Sequence, residues 1–290
     1  MNLAAEYDNR SRVPEHPAII AGWHANAEAY RRAAKAELDI AYGAALRNRL
    51  DVFHPAAPGQ GPLVVFLHGG YWRAFDKSVF SHMAAGAVAH NFSVAVPSYT
   101  LCPETSVAGI IDELRMCCLF LWRRLQLPLV VVGHSAGGHL AACLAATCWE
   151  NYGAPSDLVR AGLSVSGIFD LRPLMATPYN DDLRLDAVSA QQVSPLLWPV
   201  PRRLPFDFWV GGAESREFIR QSRSLSAAWT GLGLAAPYLE VPGENHFSVI
   251  NALADPASAM TKRVVELAQT PAGRVLPGYN PQAARSLHFP

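Results

Sequence analysis

The stretch that most constrains this chain is Leu129-Val130-Val131-Val132-Gly133-His134-Ser135-Ala136-Gly137-Gly138-His139-Leu140. A β-branched run enters Gly133-x-Ser135-x-Gly137, and a small-residue helical stretch, Ala136 to Cys148, leaves it at once. Strand, tight turn and helix in this order are the context of a nucleophile elbow. The serine of such a turn takes a strained backbone conformation, which glycines two residues to either side accommodate without collision. Ser135 Oγ is then expected to project above the strand end, beside a helix N-terminus that favours negative charge. A chance glycine–serine turn would show the same five letters without the flanking strand and helix.

The rest of the chain supplies a sheet for that strand. Leu63-Val64-Val65-Phe66-Leu67 is short and wholly apolar, as in a strand covered on both faces, and it empties into His68-Gly69-Gly70-Tyr71-Trp72. Further strands are expected at 49–54, 92–96, 161–166, 206–210 and 238–241, with helices at 76–90, 106–125, 215–230 and 256–269. This alternation gives an α/β chain with a mostly parallel, doubly wound sheet, whose ligands sit at the carboxyl ends of the strands. Trp23, Ala27, Tyr30 and Ala34 at helical spacing predict an N-terminal helix over 15–38, packed on the domain or covering its site. Residues 172–204 hold prolines 173, 178, 195, 199 and 201 and read as a short irregular cap insertion over the strand ends. Residues 1–270 form one domain without internal repeats, and 271–290 an extended tail, loose or docked on a neighbouring subunit. That leaves a homodimer open.

Composition removes several function classes. Half of the 290 residues are apolar, 17% are charged, and 24 Lys/Arg balance 24 Asp/Glu. Such a chain can bury a sizeable core and lacks the basic excess of a nucleic-acid surface. No apolar stretch approaches the ~20 residues of a bilayer span, and Met1 to Asp8 has neither the basic start nor the apolar core of a signal peptide. No membrane association and a cytoplasmic location are the expectations. The five cysteines (102, 117, 118, 143, 148) form no CxxC pair and read as reduced core thiols. No metal-ligand spacing and no nucleotide-binding glycine loop is present, so no metal and no cofactor are expected.

A serine hydroxyl is a poor nucleophile at neutral pH without a base and a group that orients the base. At an elbow of this kind the partners follow in the order acid, then histidine. Of the downstream histidines, His246 follows a strand and precedes a helix, whereas His288 has no strand before it, so His246 is the expected base. The acid should lie just past a strand end, and Glu214, after Trp209-Val210-Gly211-Gly212-Ala213, fits best. Glu217 reads as first-turn helix charge, Asp207 lies within a strand and Glu244 in the histidine loop. His68-Gly69-Gly70-Tyr71-Trp72 stands where an oxyanion loop belongs, making the N–H groups of Gly70, Tyr71 and Ala136 the expected donors. His68, His134 and His139 read as hydrogen-bonded structural histidines.

Together these stretches resemble the kynurenine formamidase (arylformamidase) branch of the α/β-hydrolases. The likeness rests on His68-Gly69-Gly70-Tyr71-Trp72, Gly133 to Leu140, Ser166-Gly167-Ile168-Phe169-Asp170-Leu171, Val210-Gly211 through Ser222, and Asn245-His246-Phe247, and spans roughly 40–265. Family members often carry aspartate where this chain has Glu214, and glutamate also serves in the wider fold. The resemblance implies an α/β-hydrolase that cleaves a small acyl group, formyl or acetyl, from a small aromatic amide or ester through an acyl-enzyme. Tyr71, Trp72 and Phe169 would contact the substrate. A broad-specificity carboxylesterase is the alternative; a non-catalytic ligand receptor on this scaffold would be expected to lack a triad member, and none is missing.

Overall fold

β-branched and apolar runs pair into one eight-stranded sheet in the computed structural model, which describes residues 2–57, 59, 61–199 and 204–270. The strands are β1 (Ala36–Ala41), β2 (Arg49–Phe53), β3 (Leu63–Leu67), β4 (Val94–Pro97), β5 (Leu129–His134), β6 (Val159–Val165), β7 (Phe206–Gly211) and β8 (Tyr238–Val241). Their spatial order is β1-β2-β4-β3-β5-β6-β7-β8. β1 and β2 pair antiparallel and β2 joins β4 antiparallel, while β4 through β8 are parallel. The strand carrying the elbow, β5, therefore lies inside the sheet, with β3 and β6 on its flanks.

Period-two alternation divides the core between the two faces of the sheet. Leu63, Val65, Leu67, Leu129 and Val131 pack with α5 (Val107–Leu125), α6 (Ala136–Ala145) and α9 (Arg216–Gly231). Val64, Phe66, Val130 and Val132 pack with α3 (His16–Ala33), α4 (Ala85–Ala89) and α10 (Ala259–Gln269). Each large side chain so buried contributes roughly 1.5–3 kcal/mol, which is why β3 and β5 carry no polar residue before their carboxyl ends. Serine caps start three of the four longest helices among the described residues: Ser106 accepts from Gly109 N, Ser215 from Phe218 N and Ser258 from Thr261 N. Among the described residues no helix is long and apolar enough to cross a membrane.

Two local expectations give way to tertiary contacts. The helix expected over 15–38 stops at Ala33, and Ala36–Ala41 becomes the edge strand β1, exposed at most positions and so without an apolar alternation to announce it. The helix expected over 76–90 breaks into 3₁₀ turns at Lys77–Val79 and Ser81–Ala84 before α4. Lys77, buried between Asp39 and Asp51 at 2.6 and 3.0 Å, pins the first turn, and Phe80 at φ −116° separates it from the second. Two short helices precede α3: α1 (Leu3–Tyr7), capped by Asn2, and α2 (Asn9–Arg12), capped by Asp8. The cap stretch from Arg172 to Pro199 consists of short helical turns, including α7 (Asn180–Leu183) and α8 (Ala187–Gln192). Residues 200–203 of that stretch and the expected tail 271–290 lie outside the described residues.

Candidate active site

The elbow is held by contacts that only hydrogen-sized side chains permit. Ser135 sits at φ 57°, ψ −118°, a conformation costing a non-glycine residue about 1–3 kcal/mol. A Cβ on Gly133 would lie 2.0 Å from Gly137 O, and one on Gly137 2.0 Å from Leu67 O. The turn is fastened to the neighbouring strand by Ser135 N donating to Val165 O at 2.8 Å. α6 begins at the next residue.

His246 reaches the serine from the loop after β8. Asn245 Oδ1 accepts from Phe247 N and Ser248 N, both at 2.9 Å, which closes that loop into a tight turn. His246 Nε2 lies 3.1 Å from Ser135 Oγ, and His246 Nδ1 lies 2.6 Å from Glu214 Oε2. A carboxylate only accepts, so the Nδ1 proton faces Glu214 and Nε2 is left to accept from the serine hydroxyl. The Glu214 side chain is fully buried. Its second oxygen accepts from Gly211 N at 2.8 Å and from Ser166 Oγ at 2.5 Å. His134 Nε2 donates to His246 O at 2.8 Å, tying the elbow to the histidine loop. Burial, reinforced by the adjacent His246, keeps His134 far below its ordinary pKa, so it is a neutral tie.

The loop after β3 forms the facing wall. Gly70, Tyr71 and Trp72 all have positive φ, at 113°, 50° and 56°. The first requires glycine, because a Cβ there would meet Ala74 O at 2.4 Å. Beneath the loop His68 stacks on Tyr99 at 4.4 Å and donates from Nδ1 to Gly69 O at 2.8 Å; burial lowers its pKa to about 4. Among the described residues no acceptor meets the N–H of Gly70, Tyr71 or Ala136. Ser135, His246, Gly69, Gly70 and Tyr71 line one cavity of about 360 Å³, walled also by Trp23, Phe75, Phe80, Tyr179 and Phe247. Tyr71 stacks on Tyr179 with centroids 3.9 Å apart, and its hydroxyl donates to Tyr7 O at 2.5 Å.

The structure thus brings Ser135, His246, Glu214, Gly70, Tyr71 and Ala136 together, and places two other expected contact residues elsewhere. Trp72 is fully buried in the core, edge-on to His139 at 5.1 Å. Three successive positive φ angles turn the loop so that Tyr71 faces the cavity and Trp72 the core. Phe169 is also fully buried, edge-on to Phe208 at 5.4 Å, with its N–H donating to Gln221 Oε1 at 2.8 Å. The rejected acids have other partners. Asp207 holds Arg263 from inside the sheet at 2.7 Å, Glu244 accepts from Ser248 Oγ, and Glu217 accepts from Tyr7 Oη at 2.7 Å. Sequence reasoning missed Ser166, which donates to Glu214, and Tyr179, Asn9 and Arg10, which line the cavity. Only Ser166, at a strand end beside the elbow, carries a local signal.

An eight-stranded, mostly parallel sheet with this elbow at the carboxyl end of β5 defines an α/β-hydrolase, and the chain is a hydrolase of that class. The BD-FAE family model matches residues 50–175. The kynurenine formamidase of Drosophila melanogaster is 30% identical, over 70% of this chain and 72% of its own length. That of Danio rerio is 28% identical over 86% of this chain and 88% of its own. The chain belongs to the kynurenine formamidase family. Among solved structures, a candidate thioesterase from Silicibacter sp. TM1040 superimposes with a TM-score of 0.84 at 35% identity, covering 91% of this chain and 99% of its own. The carboxylesterase EstE1, at 16% identity and a TM-score of 0.71, covers 89% of this chain and 98% of its own and shares the fold.

Proposed function

We propose that this chain is a serine hydrolase that removes a formyl or acetyl group from an aromatic amide or ester, in the manner of an N-formylkynurenine formamidase. The observation that carries the reading is the Ser135–His246–Glu214 hydrogen-bond chain at the wall of an aromatic cavity. Ser135 Oγ attacks the acyl carbon while its proton passes to His246 Nε2. Glu214 keeps the imidazole in the tautomer that can take that proton and stabilises the imidazolium that results. The N–H groups of Gly70, Tyr71 and Ala136 hold the oxyanion, each such donor being worth roughly 3 kcal/mol. Collapse breaks the bond to the amine or alkoxide, which leaves with the proton from His246. Water, deprotonated by the same imidazole, then releases the acid and restores Ser135.

Tyr71 supports a short acyl group. Its ring is pinned at both ends, by Tyr179 and by the Tyr7 carbonyl, beside the serine. A roomy apolar acyl site would gain about 0.8 kcal/mol, or fourfold, per methylene; a closed one loses about 1–3 kcal/mol to overpacking. The test is kcat/KM for N-formylkynurenine beside p-nitrophenyl esters from acetyl to octanoyl. Turnover of the formamide with activity falling beyond acetyl is expected. The esterase reading, favoured by the 35% identical candidate thioesterase, requires a steady rise to octanoyl and no formamide turnover.

A further inference from the structure

We infer that Arg10, with Asn9 beside it, binds a carboxylate on the aromatic substrate, a specificity contact that rests on the serine-hydrolase reading above. Both residues line the same cavity as Ser135 and His246. The other charged side chains on that wall, Arg73 and Asp182, are paired with each other. Of the nearby acids, Glu6 is paired with Arg12 at 3.0 Å, and Asp8 accepts from Ser11 N at 3.1 Å and Ser11 Oγ at 2.6 Å. Arg10 has no ion-pair partner within 4 Å among the described residues; the acid that acts on it electrostatically is Asp8, which does not line the cavity, so on the wall itself the cation has no paired counter-charge. Asn9 is only 4% exposed, and its Nδ2 has no hydrogen-bond partner, so a second donor waits at the same wall.

The fold holds this pair in place. Tyr7, two residues before Asn9, is fully buried; its hydroxyl donates to Glu217 Oε1 at 2.7 Å and accepts from Gln221 Nε2 at 2.9 Å. Its carbonyl accepts from Tyr71 Oη, so the N-terminal segment is fastened to the oxyanion loop itself. A formyl or acetyl group carries no charge, so the carboxylate belongs to the leaving group. A cation, a neutral donor and aromatic walls together fit an arylalkyl carboxylate.

The test uses the full chain with p-nitrophenyl acetate as substrate and 3-phenylpropionate and 3-phenylpropionamide as paired inhibitors. In the wild type the carboxylate should bind about tenfold tighter than the amide, the scale of one partly exposed charge-assisted hydrogen bond. Added salt should shrink the ratio. Arg10→Gln should bring it to about one and Arg10→Lys should retain most of it. Equal inhibition of the wild type, or a ratio that Arg10→Gln leaves unmoved, overturns the inference. If Ser135→Ala keeps the esterase activity, the hydrolase reading fails instead. Calorimetric titration of the same two ligands into Ser135→Ala still decides the role of Arg10.

Discussion

Replacing Glu214 by glutamine separates orientation from charge at this site. The wild-type carboxylate accepts three hydrogen bonds, from His246 Nδ1 at 2.6 Å, Gly211 N at 2.8 Å and Ser166 Oγ at 2.5 Å. An amide cannot serve all three. With its oxygen toward Gly211 and Ser166, its NH₂ faces His246 Nδ1 and forces the proton onto Nε2, where it blocks transfer from Ser135. With its oxygen toward His246, the NH₂ opposes the Gly211 N–H across a 2.8 Å gap and the bond is lost. The first arrangement satisfies every donor and is the stable one, so the variant should fold but hold the wrong tautomer. Loss of the correct tautomer in a well-studied triad lowers kcat about 10⁴-fold, equivalent to about 5.4 kcal/mol. The assay is steady-state hydrolysis of p-nitrophenyl acetate at neutral pH, with circular dichroism to confirm folding. Glu217→Gln is the control. Its carboxylate is bonded to Tyr7 and Arg220 rather than to His246, so its kcat should change little. A folded Glu214→Gln protein within tenfold of wild-type kcat would refute the assignment of the acid, as would a larger loss from Glu217→Gln.

Ser135→Ala should abolish turnover and remain folded. Ser135→Gly, equally inactive, should exceed it in stability by about 1 kcal/mol, because glycine accepts φ 57° without strain; equal unfolding midpoints would deny the strain. Burial lowers His68, His82 and His139 from the ordinary 6.5 to about 4. Each therefore contributes stability that is present above pH 6.5 and lost as the unfolded chain takes up protons between 6.5 and 4. Urea midpoints should fall across that window, and less steeply in His139→Gln, whose amide can still donate to Val193 O. A slope unchanged by this substitution would remove His139 from the account.

What could be read from the letters was what depends on neighbours in sequence. The elbow needs Gly133, Ser135 and Gly137 at fixed spacing, and the partners need only follow strands, so Glu214 and His246 were placed by position along the chain. Contacts across long stretches leave no such trace. Arg10 and Tyr179 meet the same cavity from segments about 170 residues apart, and nothing local marks either. β1 was missed because an exposed edge strand carries no apolar alternation. Trp72 was put on the wrong side because residues 70–72 run left-handed, which neither strand nor helix periodicity describes.

Backbone strain is gathered where the cavity is. Nine non-glycine residues have positive φ among those described, and five of them, Tyr71, Trp72, Phe75, Ser135 and Ser166, lie at the carboxyl ends of β3, β5 and β6 or in the loop that follows β3. Each costs on the order of 1–3 kcal/mol and persists only if the surroundings over-determine it. Here they do. Ser135 N is bonded to Val165 O, Ser166 N to Trp209 O, and Trp72 O to Cys102 N, so these three strained residues are clamped to the next strand or loop. The result sets Ser135 Oγ, Ser166 Oγ and the Tyr71 N–H in directions that relaxed strand ends would not offer. Stabilising substitutions at these positions should therefore be sought only where activity is no longer required. The N-terminal segment bonded to Tyr71 belongs to the same clamp, because its detachment would free the Tyr71 hydroxyl and ring together.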